Sequence, residues 1–398
     1  MEDKMNRKHI LLIIAMAGMV GCSVGLVQNV AGVYFDPIAR EMNIGRGPVS
    51  FSLTIYVMLS AVGSLLFKKI SDRIGGELTT RIGAILLIAG TVLSGLSSKL
   101  IFLYIFSGIK GIGGGLIHLV TASLFINNWF EKRNGLMVSI AMAFSGVAGA
   151  IFSPLLSSVI NSYGWKIGYM VNGALMFVLL IPLLFLKITY HPEESGLRPY
   201  GFSSEKESEE EITENENRGN GSDLLLFVYA IIVGFVTCVP QFFPGHTGVL
   251  GYSTSFGSLL ISLSMITNII SKVILGSLVD KIGPKKAVMI TSSIVLVGSV
   301  LMLKNIALYL GALLFGFCYA GSTVGLTSIS KDQYSKPDYL IKYPILSFVS
   351  TAVNALGSPL VGFIYDGSAS YSTAFIICIV MMAMMLIDLF ILERRNAR

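Results

Sequence analysis

Residues 276–286 read Gly276-Ser277-Leu278-Val279-Asp280-Lys281-Ile282-Gly283-Pro284-Lys285-Lys286, a charged turn set between two long apolar runs. An earlier turn, Asp72-Arg73-Ile74-Gly75, stands between another pair of apolar runs and has the same core of Asp, base, Ile and Gly. Ser153-Pro154-Leu155 recurs as Ser358-Pro359-Leu360, in the same order and at nearly the same separation. One tetrapeptide can match by chance, but two motifs in register indicate a duplicated unit. Duplicated halves with a site near the bilayer midplane are the plan of a rocking transporter.

The runs around these turns set the class. The 398 residues have a mean hydropathy of +0.73, with 53% hydrophobic and only 13% charged residues. A soluble domain carries roughly a quarter charged residues, so this surface cannot cover a water-exposed globule. The apolar residues come in blocks of about 20, the length that crosses a ~30 Å hydrocarbon core. Six predicted spans lie near 10–34, 48–70, 80–97, 100–127, 135–160 and 168–188. Six more lie near 223–244, 255–279, 285–303, 305–330, 340–364 and 372–392. The expected fold is an all-α polytopic membrane protein of twelve transmembrane helices in two six-helix halves, residues 1–188 and 223–398. Between them, 189–222 carries Glu205, Glu207, Glu209, Glu210, Glu211, Glu214 and Glu216 among Ser and Asn. That composition predicts a solvated, disordered acidic linker.

Charge fixes the orientation. Of 29 lysines and arginines, 22 fall on the side of both termini, five on the other, and two, Lys110 and Lys272, within spans. Basic loops stay cytoplasmic, so both termini and the linker are expected inside a cell membrane crossed many times. The formal net charge of +6 follows from that bias and implies no nucleic acid. The first block is too long for a signal-peptide core and reads as a retained span. Cys22, Cys238, Cys318 and Cys378 all lie in apolar blocks without metal-ligand spacing, and read as buried free thiols. No metal cluster, nucleophile–base pair or nucleotide loop occurs in the spans. The Gly-rich stretch of span four follows no strand, which argues against a phosphate cradle. No enzyme and no cofactor are expected.

The 276–286 segment resembles the signature loop of the major facilitator superfamily, whose members share this twelve-helix, two-half plan. The resemblance implies a gating role for Gly276, Asp280, Lys281, Gly283, Lys285 and Lys286, and for Asp72, Arg73 and Gly75 in the first half. Gly276 would permit close helix packing, and Asp280 would pair with a base or cap a helix N-terminus. The first copy is degraded: Lys68 stands at the first Gly, and Gly76 and Glu77 replace the usual basic pair. Three further segments are similar to the monocarboxylate and oxalate–formate branch. They are Gly32-Val33-Tyr34-Phe35-Asp36-Pro37-Ile38 with Glu41, Asn128-Trp129-Phe130-Glu131-Lys132-Arg133-Asn134-Gly135 with Gly164-Trp165, and Pro192-Glu193-Glu194-Ser195-Gly196-Leu197-Arg198-Pro199.

A charge at the bilayer centre costs at least ~2.5–3.5 kcal/mol by insertion scales, so it is partnered or functional. Lys110 and Lys272 have no acid at comparable depth, since Asp36, Asp366 and Asp388 lie near span ends. An anion is their natural partner. Lys272 stands where the resembling branch carries a substrate-binding Arg, and Asn268, one turn earlier on the same face, matches its Asn. Lys keeps the charge but loses the bidentate grip. Lys110 lines a cavity or binds a backbone carbonyl. His118 stands where the related carriers often show Tyr, and could bind substrate or carry a proton. Gln28, Asn29 and Gln241 lie in the first helices of the two halves, as ligands or as interhelical glue. The acid that proton-coupled members place near the end of helix seven is replaced by Val249-Leu250-Gly251.

The expected function is secondary transport of a small organic anion, a monocarboxylate, by alternating access, as proton symport or anion exchange. Its expected partners are that substrate, protons or a counter-transported anion, and lipid, with the chain a monomer. Two alternatives stand beside it: a carrier of the same fold for a neutral or drug-like solute, and a membrane sensor that does not transport.

Overall fold

The structure, a computed structural model, describes residues 5–201 and 222–396; Glu205, Glu207, Glu209, Glu210, Glu211, Glu214 and Glu216 of the acidic linker lie outside them. Helices account for most of the described chain, with a single isolated β-bridge, Phe130 to Tyr200. Among the described residues, eleven helical runs are long and apolar enough to cross a membrane. One of them, Asn134–Phe185, has 52 residues, twice the length a span needs. Gly164 interrupts it with φ 84° and ψ 162°, a region open only to glycine. The twelve spans are therefore α1 (Arg7–Asn29), α2 (Arg46–Ile74), α3 (Gly76–Ser94), α4 (Leu100–Trp129), α5 (134–163), α6 (165–185), α7 (Asp223–Val249), α8 (Thr254–Ile282), α9 (Pro284–Leu303), α10 (Leu308–Gln333), α11 (Pro337–Ser368) and α12 (Ser372–Arg394).

The chain divides into two compact units, Met1–Ile44 with Pro48–Glu207 and Gly45–Gly47 with Ser208–Arg398. Small residues set the helix contacts of each. In the first, a Cβ at Gly113 would stand 2.6 Å from the Cβ of Leu86 and 2.7 Å from the Gly83 carbonyl oxygen. In the second, a Cβ at Gly298 would meet the Phe315 nitrogen at 2.7 Å and the Gly311 oxygen at 3.0 Å. Helices α3 and α4, and likewise α9 and α10, touch backbone to backbone, which only small residues permit. Within the second unit, the Asp366 carboxylate accepts from the N–H groups of Arg46 (2.8 Å) and Gly47 (2.9 Å).

Four spans are not the continuous helices that their hydropathy predicts. Helix α1 widens into a π-helical stretch, Gly21–Asn29, and a turn leads to a short helix, Gly32–Met42. Helix α4 breaks at Ile117 (φ −122°, ψ 30°) and at His118, the one of the two with an extended backbone. Helix α7 passes through a 3₁₀ turn, Val239–Phe242, and α10 through a π-helical turn, Gly321–Gly325. These are the first helices of each successive group of three. Carbonyls freed by a break in an apolar setting need new donors, and side chains supply them. Ser23 Oγ donates to the Ile117 carbonyl (3.2 Å), and the Tyr56 hydroxyl to the Ser23 carbonyl (2.6 Å). The Tyr229 hydroxyl donates to Gly321 (2.8 Å).

Two further expectations are corrected. Residues 189–201 are not solvated linker: Thr189 and Pro192 are buried. Trp129 Nε1 donates to the Thr189 carbonyl (3.0 Å) and Asn128 Nδ2 to that of Tyr190 (3.2 Å). The Tyr200 carbonyl takes the Glu131 and Lys132 N–H groups, so the acidic composition begins only after a docked strap. Gly276 makes no close helix contact, because a Cβ there would meet nothing within 4 Å.

Candidate functional site

The broken helices put polar side chains where a continuous helix would bury its backbone. In the first unit, the bend of α1 and the break of α4 bring Gln28 Nε2 within 3.4 Å of His118 Nε2. Both residues are half-buried. Asn29, beside Gln28, is turned the other way and donates to the Ser145 carbonyl of α5 at 3.0 Å. Its amide nitrogen is thus committed to an interhelical bond. Gln241, in the second unit's first helix, accepts from Ser358 Oγ of α11 at 3.3 Å.

Lys110 and Lys272 lie in different units, and neither has an ion pair or hydrogen bond among the described residues. Lys272 is half-buried on α8. Asn268, one turn earlier, is 5% exposed, its Oδ1 has no partner, and its Nδ2 has only the Met265 sulfur at 3.9 Å. A cation and an unsatisfied amide on one helical face can receive a carboxylate. Lys110 is 6% exposed on α4, with its ammonium 5.1 Å from the centroid of the Tyr169 ring. Tyr34, Tyr169 and Asn172 surround it, none of which sequence reasoning selected as site residues. Asp388 was likewise assigned to a span end. It is 5% exposed in α12, and its Oδ2 has no hydrogen-bond partner.

The two turns that carry the repeated motif share one geometry. Gly75 has φ 86° and Gly283 φ 83°, each opening the next helix. Asp72, Arg73, Asp280 and Lys281 are exposed, and no ion pair joins them to the described residues. Lys285 and Lys286 are engaged, at 3.1 Å with Asp332 and 3.4 Å with Glu393. No group of three His, Cys, Asp or Glu that could hold a metal occurs among the described residues. The four cysteines are buried and free.

The chain belongs to the Major Facilitator Superfamily, whose model matches residues 17–216 and 225–398. It is a transporter by family, not an enzyme. It is 22% identical over 365 residues to Monocarboxylate transporter 13 of Rattus norvegicus, covering 87% of this chain and 80% of that protein. Identity to the Oxalate:formate antiporter of Oxalobacter formigenes is 23%, over 44% of this chain and 41% of the relative. The Multidrug transporter protein MdtP of Bacillus subtilis (strain 168) is 23% identical, over 77% of this chain and 64% of its own. Among solved structures, the nucleoside transporter NupG superposes with a TM-score of 0.69 at 12% identity, covering 97% of this chain and 99% of that one. That likeness concerns the fold.

Proposed function

We propose that this chain carries a small organic anion, a monocarboxylate, across the membrane by alternating access. The observation that carries the reading is Lys272, without an ion pair among the described residues, beside the unsatisfied Asn268 Oδ1. Lys272 is the anion ligand and Asn268 its neighbour. Gln28 and His118 form a polar pair of the first unit's own, and the signature turn at Asp280 is the moving latch. The names of the monocarboxylate and oxalate:formate relatives support the substrate class. Asp388 supplies the buried carboxyl that helix seven lacks, which favours proton symport over exchange.

Uptake of a labelled monocarboxylate into sealed proteoliposomes tests this. Lys272→Gln should abolish uptake, and unchanged uptake would sink the anion assignment. Asp388→Asn should remove the stimulation by an inward-acid pH gradient; retained stimulation would favour another coupling group. The multidrug relative supports a second reading, a carrier of drug-like solutes. Transport of amphipathic cations with no carboxylate uptake would establish it. Binding without any movement of solute would indicate a sensor.

A further inference from the structure

A small interior cavity lies within the first unit, between α1, α2, α3, α4 and α6. It offers about 20 Å³ to the centre of a water-sized particle, enough for one. Lys110, Tyr34, Tyr169, Asn172, Ser52 and Thr91 give it its polar lining, with Leu26 and Leu53 among the apolar remainder. Most of the polar atoms here are already committed. Ser52 Oγ donates to the Val49 carbonyl (2.7 Å), Thr91 Oγ1 to Leu87 (2.8 Å) and Asn172 Nδ2 to Leu26 (2.9 Å). The Tyr56 hydroxyl, also in the lining, is spent on Ser23.

The Tyr34 and Tyr169 hydroxyls and the Lys110 ammonium are left over. The Tyr34 hydroxyl, in a residue that is 2% exposed, makes no well-formed hydrogen bond, with the Asn172 side chain as its polar neighbour. Neither the Lys110 ammonium nor the Tyr169 hydroxyl has a hydrogen bond among the described residues. The Tyr34 and Tyr169 rings stack at 4.2 Å and 17°, and both residues line the cavity with Lys110. Asn172 Oδ1 is the one leftover acceptor.

A buried ammonium without a counter-charge is costly, and the ring of Tyr169 compensates only in part. One negative charge in the cavity would neutralise it and take up spare donors. A room that holds one water-sized particle suits a monatomic ion. We propose that the first unit holds a single halide-sized inorganic anion between the Lys110 ammonium and the Tyr34 hydroxyl. This site is separate from the organic-anion ligand Lys272 and does not depend on which solute the protein carries.

The test is thermal unfolding of the purified full chain at fixed pH and ionic strength, with sodium gluconate replaced stepwise by sodium chloride. Chloride should raise the melting temperature saturably, by roughly 2–4 °C. Lys110→Met should remove the rise, and Tyr34→Phe should weaken the chloride affinity about tenfold. Should Lys110→Met fail to fold, Tyr34→Phe and anomalous scattering from bromide-soaked crystals give independent readouts, with bromide expected beside Lys110. Equal melting in chloride and gluconate, or a full chloride shift in Lys110→Met, would overturn the proposal in favour of a neutral lysine with one water. Lys272→Gln should lose organic-anion uptake and keep the chloride shift, so the two readings fail separately.

Discussion

The two units place irregularities at the same ordinal positions but differ in their kind and in the residues that fasten them. The clearest case is the signature turn. The second unit keeps the motif, with Lys285 and Lys286 tying α9 to Asp332 of α10 and Glu393 of α12. The first has lost the basic pair. Glu77 instead bonds Arg81 within α3 at 2.8 Å, and Arg81 reaches the Leu183 and Leu186 carbonyls at the end of α6. A base near the carbonyl end of a helix is favourable there. The join from the third helix to the sixth thus survives without the motif letters. What the duplication conserves is backbone geometry and the need for a fastening, not the side chains that provide it.

The sharpest way to break this comparison is at the two turn glycines. Gly75 and Gly283 have nearly equal backbones, φ 86° and 83° with ψ 148° and 160°, a region essentially closed to other residues. Gly75→Ala and Gly283→Ala should each lower stability by about 1–3 kcal/mol, read from thermal or denaturant unfolding. Neither position has a neighbour that a Cβ would strike, so backbone strain alone is measured. A neutral Gly75→Ala beside a costly Gly283→Ala would show that only the intact motif holds its turn.

The broken helices come next. Tyr56 in the first unit and Tyr229 in the second each donate to a carbonyl within a π-helical stretch. Both are fully buried. Tyr56→Phe and Tyr229→Phe keep the ring and remove the donor, leaving a buried carbonyl short of a partner. A loss of about 1–2 kcal/mol is expected for each, with equal values supporting equivalent roles. If either variant melts like the wild type, a water or a 3₁₀ adjustment already serves that carbonyl.

Much of this architecture was legible beforehand because hydropathy and charge are dense signals. The blocks of apolar residues gave the spans, and the paired turns gave the duplication. The breaks within α1, α4, α7 and α10 were not legible, because hydropathy is blind to backbone path. Gly21 and Gly25, the Gly111–Gly115 run, Pro240 with Pro244, and Gly316 with Gly321 were the available signs. Lys110 and Lys272 stood out as lone charges in apolar runs. Their surroundings did not, since the cavity of Lys110 draws Tyr34, Tyr169 and Asn172 from distant parts of the chain. The segments Asn128–Gly135 and Pro192–Pro199 were noticed only as resemblances. Their packing explains the pattern: Trp129, Asn128 and Tyr200 hold one to the other.

The smallest effect expected lies at the opposite end of the first unit, in the segment joining α1 to α2. Glu41 accepts from Lys166 Nζ at 2.7 Å and from Trp165 Nε1 at 2.6 Å, linking two motif segments far apart in sequence. The Lys166 hydrogen bond is the main reason that the Glu41 carboxyl is held below its ordinary value, with Trp165 adding to it. A carboxyl whose pKa is depressed by folding stabilises the fold above its unfolded value, and that contribution is lost as pH falls through the folded one. Melting temperature should therefore drop from pH 6 towards pH 3 more steeply in the wild type than in Glu41→Gln. Glu41 and Lys166 are 49% and 47% exposed, so the difference should stay under about 1 kcal/mol and shrink with added salt. Parallel pH profiles for wild type and variant would mean that the join rests on Tyr34 stacking against Tyr169, at 4.2 Å, and not on the charge.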